Sequence, residues 1–446
     1  MSRGDTTIGI DIGTTAVKAT AVDENGQVRA RVRIPHRLLV PAPDRLEHDA
    51  DEAWRCGPLA AMRRLNRPDA RAVAVSSMVP SLTAVDAGGR PVTPGLLYGD
   101  ARGAAPDSPE QSVPAAGEAA GFLRWSAAEA PAAAGFWPAP AVANHALAGE
   151  PVIDLATAIT TSPLFDGSGW DAKACADCGA AVAQLPRVEM FGAPAGQVQQ
   201  SGSRGAVLAT GAVDALCEQL VTGADGAGDV LLMCGTTLIV WTATSEPRRV
   251  PGLWTIPHTV EGLSLIGGAS NAGGLFLNWV DRLVAPADPA AADPRRIPVW
   301  LPYIRGERTP LHDRQRRAML YGADLTHNAA SVRRAAYEAS AFVARRILEL
   351  GRTPVRRVIA SGGGTRVRPW LQALADATGR PIEVSAAAEG AALGAAFLAR
   401  MAVGLESKIT DAARWARAGA VVEPDPRWVE PTGDRYHRFL ELCGSE

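Results

Sequence analysis

Short apolar runs at the start of the chain, each closed by turn residues, predict strands joined by tight turns. Residues 8–12 form a first strand, 17–22 a second, and 28–34 a third, with Asp23-Glu24-Asn25-Gly26 as the hairpin turn between the last two. The opening is therefore an antiparallel meander. Apolar positions then change to helical spacing over residues 50–65, and a short buried strand follows at 72–75. Residues 82–86 lead into Ala87-Gly88-Gly89-Arg90, another hairpin signal. The stretch 103–145 is rich in Ala, Pro and Gly and poorly periodic. It is compatible with helices, loops and a partly mobile segment, with regular structure returning near Asp154.

The second half repeats the plan. Strands are expected at 207–209, 229–234, 238–243, 264–268, 355–360 and 382–384. Helices are expected at 213–222, 273–283, 331–350, 367–378 and 390–401, the last built of small residues that allow tight packing.

Two loops stand out. Ile8-Gly9-Ile10-Asp11-Ile12-Gly13-Thr14-Thr15 and Val230-Leu231-Leu232-Met233-Cys234-Gly235-Thr236-Thr237 each read as a buried strand running into Gly-Thr-Thr. Such a turn offers backbone N–H groups and hydroxyls to an anion. Two of them, one opening each half, suggest related halves gripping a polyphosphate. Asp11 would repel phosphates unless a cation lay between, so it reads as an anchor for Mg²⁺, held through water because Mg²⁺ dehydrates reluctantly. The alternative is a β-turn with a capping Asp.

Composition narrows the field without naming a chemistry. The 446 residues suffice for two or three domains with sizeable cores, and the net charge of −2 gives no electrostatic case for nucleic acid or an anionic membrane. No apolar run reaches spanning length and the N-terminus enters a strand almost at once, so a cytoplasmic protein is expected. Six cysteines fit that compartment. Cys175-Ala-Asp-Cys178 is a lone CxxC, a weak signal for metal or redox work, and the seven histidines are scattered.

The order of motifs resembles the FGGY carbohydrate kinases. The matching pieces are Gly9-Ile10-Asp11-Ile12-Gly13-Thr14-Thr15, Tyr98-Gly99-Asp100-Ala101-Arg102, Gly211-Ala212-Val213-Asp214 and Cys234-Gly235-Thr236-Thr237. They continue with Pro302-Tyr303-Ile304-Arg305-Gly306-Glu307-Arg308-Thr309-Pro310, the most specific piece, and Ser361-Gly362-Gly363-Gly364-Thr365. The resemblance covers nearly the whole chain and looks closest to the xylulose-type branch. It implies an α/β protein with the two-domain ATPase fold of actin and hexokinase, that is, duplicated ribonuclease-H-like domains around a central interdomain cleft that holds the substrate. The division is expected as residues 1–204, with the first phosphate loop and substrate site, and 205–446, with the catalytic Asp, the second loop and the adenosine site.

The implied reaction is transfer of the ATP γ-phosphoryl group to a sugar or polyol hydroxyl, with Mg²⁺. Asp214 matches the family's catalytic aspartate, since an alcohol needs a carboxylate to orient it and take its proton. It is also placed to touch substrate and metal, beside Asp11 as metal anchor; an N-cap role for the following helix is compatible with both. The nucleotide positions implied are Thr14, Thr15 and Lys18 at the first loop, Gly235, Thr236 and Thr237 at the second, Gly274 and Asn278 on a helix, and Gly363 and Gly364. Lys18 facing solvent is the alternative there. Glu307 and Arg308 read as an internal ion pair holding their loop, structural rather than catalytic.

The substrate loop departs from the family. Where xylulose-type members resemble one another in Gly-Gln-Met-His-Gly and glycerol-type members carry Arg-Glu, this chain reads Ser76-Ser77-Met78-Val79-Pro80-Ser81. Val79 takes the hydrogen-bonding position and cannot satisfy a sugar hydroxyl, at a cost of roughly 1–3 kcal/mol. Ser77, Met78 and Val79 are thus expected to line a site for a ligand that is less hydroxylated there or sits differently, with Tyr98 (Trp in the family), Asp100 and Arg102 as further contacts. Trp125 and Trp137 fit either sugar stacking or a small core, with the core favoured. The expected partner is a small carbohydrate, with no nucleic acid and no membrane; a homodimer is allowed but not readable. A non-catalytic nucleotide-binding regulator on the same fold is the second hypothesis.

Overall fold

The first Gly-Thr-Thr sequence sits in a hairpin turn because both flanking segments are apolar enough to be buried along their length. Strands Thr7–Ile12 and Ala16–Val22 pair antiparallel in a register that sets Asp11 opposite Lys18. The structure is a computed structural model and describes residues 5–103, 118–200, 202–387 and 389–444. Strand Val28–Pro35 extends the hairpin as an exposed edge, and on the other side Ala72–Ser77 and Val207–Val213 join parallel to Thr7–Ile12 in turn. Pro194–Gln197 completes a six-stranded sheet. The helix Gly390–Ala402 lies against it. A Cβ on Gly9 would stand 1.7 Å from the Ala392 carbonyl oxygen, and one on Gly394 2.0 Å from that of Cys217, so this tight packing requires glycine at both places.

Contacts divide the chain into two compact units, Met1–Val221 with Ala388–Trp415, and Thr222–Ala387 with Ala416–Glu446. Asp214 and the helix Gly390–Ala402 fall in the first. The second repeats the kernel: Asp229–Cys234 pairs antiparallel with Leu238–Thr244, which pairs with Ser264–Ser270, while Arg357–Ser361 lies parallel to Asp229–Cys234. Trp254–Pro257, Ile382–Ser385 and Ala418–Val422 bring that sheet to seven strands. The helix Ala329–Gly351 starts at Asn328, whose side chain accepts from the Ala330 and Ser331 N–H groups. The C-terminal helix Pro426–Leu442 docks Tyr436 and Phe439 on Phe342 of that helix.

Three expectations need correction. Regular structure returns before Asp154: Glu118–Glu129 and Ala139–Ala148 are helices, with strand Gly135–Trp137 between them. Alanine, a strong helix former, outweighs the weak periodicity here. Residues 104–117 of that stretch lie outside the described residues. The strand expected at 207–209 runs on to Val213, and the helix after it is Asp214–Leu220. Trp125 and Trp137 are partly buried in small clusters around the strand Gly135–Trp137, Trp125 beneath the Arg102 guanidinium at 4.7 Å and Trp137 beside His145. Cys175 and Cys178 are both buried free thiols, with burial pushing each up in pKa. No helix among the described residues is long and apolar enough to cross a membrane.

Candidate active site

Three parallel strands of the first unit end together, and their ends carry the acids. Asp11 pairs with Ser76 in register, and Val213, the residue before Asp214, pairs with Ser77. In open parallel sheets, ligands gather at these carboxyl ends. Asp11 is 5 % exposed; the Ser76 hydroxyl lies 3.5 Å from its Oδ1, and Lys18 Nζ lies 3.6 Å from its Oδ2. Lys18 also reaches Glu389 at 3.2 Å, so it bridges two carboxylates. The alternative of a solvent-facing Lys18 fails because the antiparallel register places its side chain on the Asp11 side of the sheet.

The acids raise one another. Burial first, then the Asp11 charge and that of Glu218, pushes Asp214 up to about 7, against a lowering by the Ala215 N–H it accepts at 2.7 Å and by Lys18. Asp11 is also raised by burial, and Lys18 opposes the rise. Lys18 itself is held above its ordinary value, chiefly by Asp11. Glu218, buried beneath Gly390, belongs to the same cluster and is not singled out by the sequence.

The donor set suits Mg²⁺. Asp11 and Asp214 supply hard carboxylate oxygens at a place where negative charge is crowded, and Mg²⁺ in phosphoryl-transfer sites takes one or two carboxylates beside phosphates and water. Among the described residues no group of three or more His, Cys, Asp or Glu forms a cage that would hold a metal without such help.

The first loop is braced from behind. Gly13 N–H donates to the Ala16 carbonyl at 3.1 Å, closing the turn, and the Thr14 hydroxyl meets the Tyr98 hydroxyl at 2.8 Å. His48 Nε2 lies 2.8 Å from the Thr14 carbonyl oxygen, and Trp54 Nε1 donates to His48 Nδ1 at 3.0 Å. His36 stands edge-on to His48, with ring centroids 4.5 Å apart, while its backbone N–H donates to the Thr15 carbonyl. His36, His48 and Trp54 come from outside any of the motifs read in the sequence.

Beside this loop lie Ser77 and Met78, both buried, and the half-buried Val79. The Met78 N–H donates to the Ile12 carbonyl at 3.3 Å, which ties the segment after Ser77 to strand Thr7–Ile12. Asp100 is almost fully buried; it accepts from the Leu46 N–H at 2.6 Å and from Arg102, which also binds Glu47 at 2.6 Å.

The second unit assembles the other predicted positions. The Gly235 carbonyl accepts from the Gly274 N–H at 2.8 Å and the Thr236 carbonyl from the Leu275 N–H at 3.0 Å, so the helix Gly274–Leu283 begins on the loop. Asn278 lies one turn further along, exposed. Gly362, at φ +87°, and Gly364 press on the Cys234 carbonyl so closely that a Cβ would approach within 3.0 and 2.7 Å, while a Cβ on Gly363 would meet open space. Gly235 to Thr237, Gly274, Gly363 and Gly364 therefore converge.

Glu307 and Arg308 interact through charge, and each is also anchored by other partners. Glu307 is 2 % exposed and accepts from the Ser270 hydroxyl at 2.7 Å, the Asn271 N–H at 2.8 Å and the backbone N–H of Arg308 at 2.7 Å. Burial pushes it up to about 7. The Arg308 guanidinium turns to Thr237 Oγ1 at 3.1 Å and Asn271 Oδ1 at 3.2 Å.

Comparison with known proteins identifies the family and the fold. Residues 6–106 match the N-terminal domain model, and residues 230–403 the C-terminal domain model, of the FGGY family of carbohydrate kinases. The xylulose kinase of Streptomyces rubiginosus is 29 % identical, over 97 % of this chain and 95 % of that protein. The gluconokinase of Bacillus subtilis (strain 168) is 25 % identical, over 89 % and 87 %. Among solved structures, the xylulose kinase from Rhodospirillum rubrum superposes with a TM-score of 0.78 at 27 % identity, covering 99 % of this chain and 98 % of that one. Gluconate kinase from Lactobacillus acidophilus shares the fold with a TM-score of 0.80 at 21 % identity, over 99 % and 98 %.

Proposed function

The chain belongs to the FGGY family of carbohydrate kinases, and from that premise we propose that it transfers the γ-phosphoryl group of ATP to a hydroxyl of a ketose, polyol or related carbohydrate, with Asp214 as general base. The observation that carries this reading is the placing of Asp11 and Asp214 at the ends of the two parallel strands that flank Ala72–Ser77, with Lys18 on Asp11. Asp214 in its ionised form orients the sugar hydroxyl and takes its proton late in transfer. Its raised pKa, about 7 in the free protein, makes it a stronger base than a free carboxylate and leaves it ready to ionise near neutrality.

Asp11 and Asp214 would hold Mg²⁺, which when bound neutralises phosphate charge during transfer. Lys18 opposes the rise that burial imposes on Asp11 and so favours its ionised form. Thr14, Thr15 and Lys18 would serve as phosphate contacts in the first unit, and Gly235, Thr236 and Thr237 in the second, where Gly274, Asn278, Gly363 and Gly364 would take the rest of the nucleotide.

The substrate is the finer question. The relatives include a xylulose kinase and a gluconokinase, while Val79 offers an apolar face where a hydroxyl-binding group is expected. We infer a carbohydrate that lacks a hydroxyl at the position facing Val79, held by Ser77, Met78, Tyr98 and Asp214, with Asp100 and Arg102 fixing that wall. The test is incubation with Mg-ATP and a panel of ketoses, deoxy sugars, aldonates, cyclitols and polyols, read by mass spectrometry for a gain of one phosphate with matching ADP. A deoxy or short-chain sugar should lead the panel. Nucleotide binding without a phosphorylated product from any member would favour the regulator instead.

A further inference from the structure

The Pro-Tyr-x-x-Gly-Glu-Arg-x-Pro segment, the most specific sequence in the chain, has no role in the mechanism so far. Its geometry gives it one. Residues 301–310 follow the buried strand Val299–Leu301, and Glu307 is drawn under the end of strand Ser264–Ser270 by three donors: the Ser270 hydroxyl and the N–H groups of Asn271 and Arg308. Asn271 returns a bond from Nδ2 to the Gly306 carbonyl at 3.1 Å. The backbone at Arg308 is thus fixed on both sides, and its side chain extends to the second phosphate loop.

There the guanidinium donates to Thr237 Oγ1 at 3.1 Å. A threonine hydroxyl that accepts from a cation keeps its own proton to donate onward. The bond also sets a permanent positive charge in contact with a Gly-Thr-Thr turn whose Gly235 and Thr236 carbonyls are already taken by the Gly274 and Leu275 N–H groups. Those bonds cover the loop's electronegative atoms and leave its hydroxyls and a guanidinium as the groups suited to an anion.

We propose that Arg308 is a nucleotide-phosphate ligand of the second loop, acting directly and through the Thr237 hydroxyl, with Glu307 as the positioning residue that aims it. The inference rests on the reading of this loop as the nucleotide site and extends it to a residue outside the loop. Arginine is required because its planar fork spans Thr237, Asn271 and a phosphate oxygen together, which an ammonium group cannot do.

The experiment is calorimetric titration of the full chain and of Arg308→Met, Arg308→Lys and Thr236→Val with Mg-ATP, Mg-ADP and adenosine, alongside melting temperatures. Arg308→Met should weaken ATP and ADP by about tenfold to a hundredfold, the scale of one charge-assisted contact, and leave adenosine within about twofold. Arg308→Lys should recover part of the loss. Phosphate-selective loss separates a ligand from a structural arginine, whose removal would weaken all three alike or lower the melting temperature with no selectivity; either result overturns the proposal. Wild-type ATP affinity in Arg308→Met, with affinity lost in Thr236→Val, would also overturn it while leaving the nucleotide site in place. No nucleotide binding by the unmodified chain would remove the site itself. If Arg308→Met fails to fold, the Lys variant decides: phosphate affinity equal to the wild type contradicts the required fork.

Discussion

Trp54 Nε1 and His48 Nδ1 stand 3.0 Å apart, and that single contact fixes the chemical state of the residue behind the first phosphate loop. An indole nitrogen only donates, so His48 Nδ1 must accept, and the proton sits on Nε2, where it donates to the Thr14 carbonyl. Burial, with the neighbouring His36 ring, pushes His48 down to about 3, which keeps it neutral at every working pH. His48→Ala would leave a buried indole N–H and a loop carbonyl unpartnered. At roughly 1–3 kcal/mol each, the variant should lose about 2–6 kcal/mol in chemical denaturation and show a raised KM for ATP. A variant as stable as the wild type would show that water replaces the imidazole without cost.

Lys18 is the cation that offsets the crowded acids. Lys18→Met should raise the pKa of the Asp11–Asp214 pair, because the charge that lowers both is gone. In the wild type, kcat/KM for the sugar should climb with pH through about 7 as Asp214 ionises. In the variant that limb should move to higher pH, by about one pH unit on the scale of a single buried charge. An unmoved limb with a lower plateau would reduce Lys18 to a phosphate contact.

Glu307 should leave a signature in stability. Its pKa rises from an ordinary 4.5 to about 7 on folding, so the folded protein holds the proton more tightly than the unfolded chain. The associated stability is fully present below about 4.5 and is lost as pH rises through about 7. Glu307→Gln keeps a carbonyl oxygen for the Asn271 and Arg308 N–H groups and removes the titration. Melting temperatures of wild type and variant should therefore diverge between pH 5 and 7, the wild type falling relative to Gln, with the variant flatter. Parallel curves would mean that the three hydrogen bonds keep Glu307 ionised throughout.

Val79 predicts a weak response to hydroxyl-rich sugars. D-Xylulose and glycerol should be turned over with kcat/KM below roughly 10⁴ M⁻¹s⁻¹, the low end for a working enzyme. Val79→His restores a donor and acceptor and should gain about tenfold on D-xylulose, the worth of one good hydrogen bond. Efficient D-xylulose phosphorylation by the unmodified chain would shift the substrate contacts to other residues of the wall.

Much of this site was legible in the sequence because its main parts are local. A buried strand entering Gly-Thr-Thr needs no distant partner to be recognised, and Asp11 and Lys18 face each other across the turn they flank. The side-chain direction of Lys18 required the register, which a sequence alone leaves open. His36, His48 and Trp54 were not legible, since only tertiary folding brings Thr14 to them. Adjacent Glu307 and Arg308 suggested a pair, but only the tertiary fold shows that each side chain also bonds a residue more than thirty positions away. The helix Pro426–Leu442 escaped notice because Pro431 interrupts its pattern; its burial of Trp428, Tyr436 and Phe439 overrides that local cost.

Asp214→Asn tests the central claim most directly. The amide keeps the shape, and its oxygen still accepts the Ala215 N–H, but it cannot take a proton. With the best sugar from the panel, single-turnover transfer of the γ-phosphoryl group should fall by at least about a hundredfold, the usual scale for a general base, while ATP still binds and the melting temperature is unchanged or higher for loss of a buried acid among acids. Transfer at a near-normal rate in this variant would contradict the account and take Asp214 out of the mechanism.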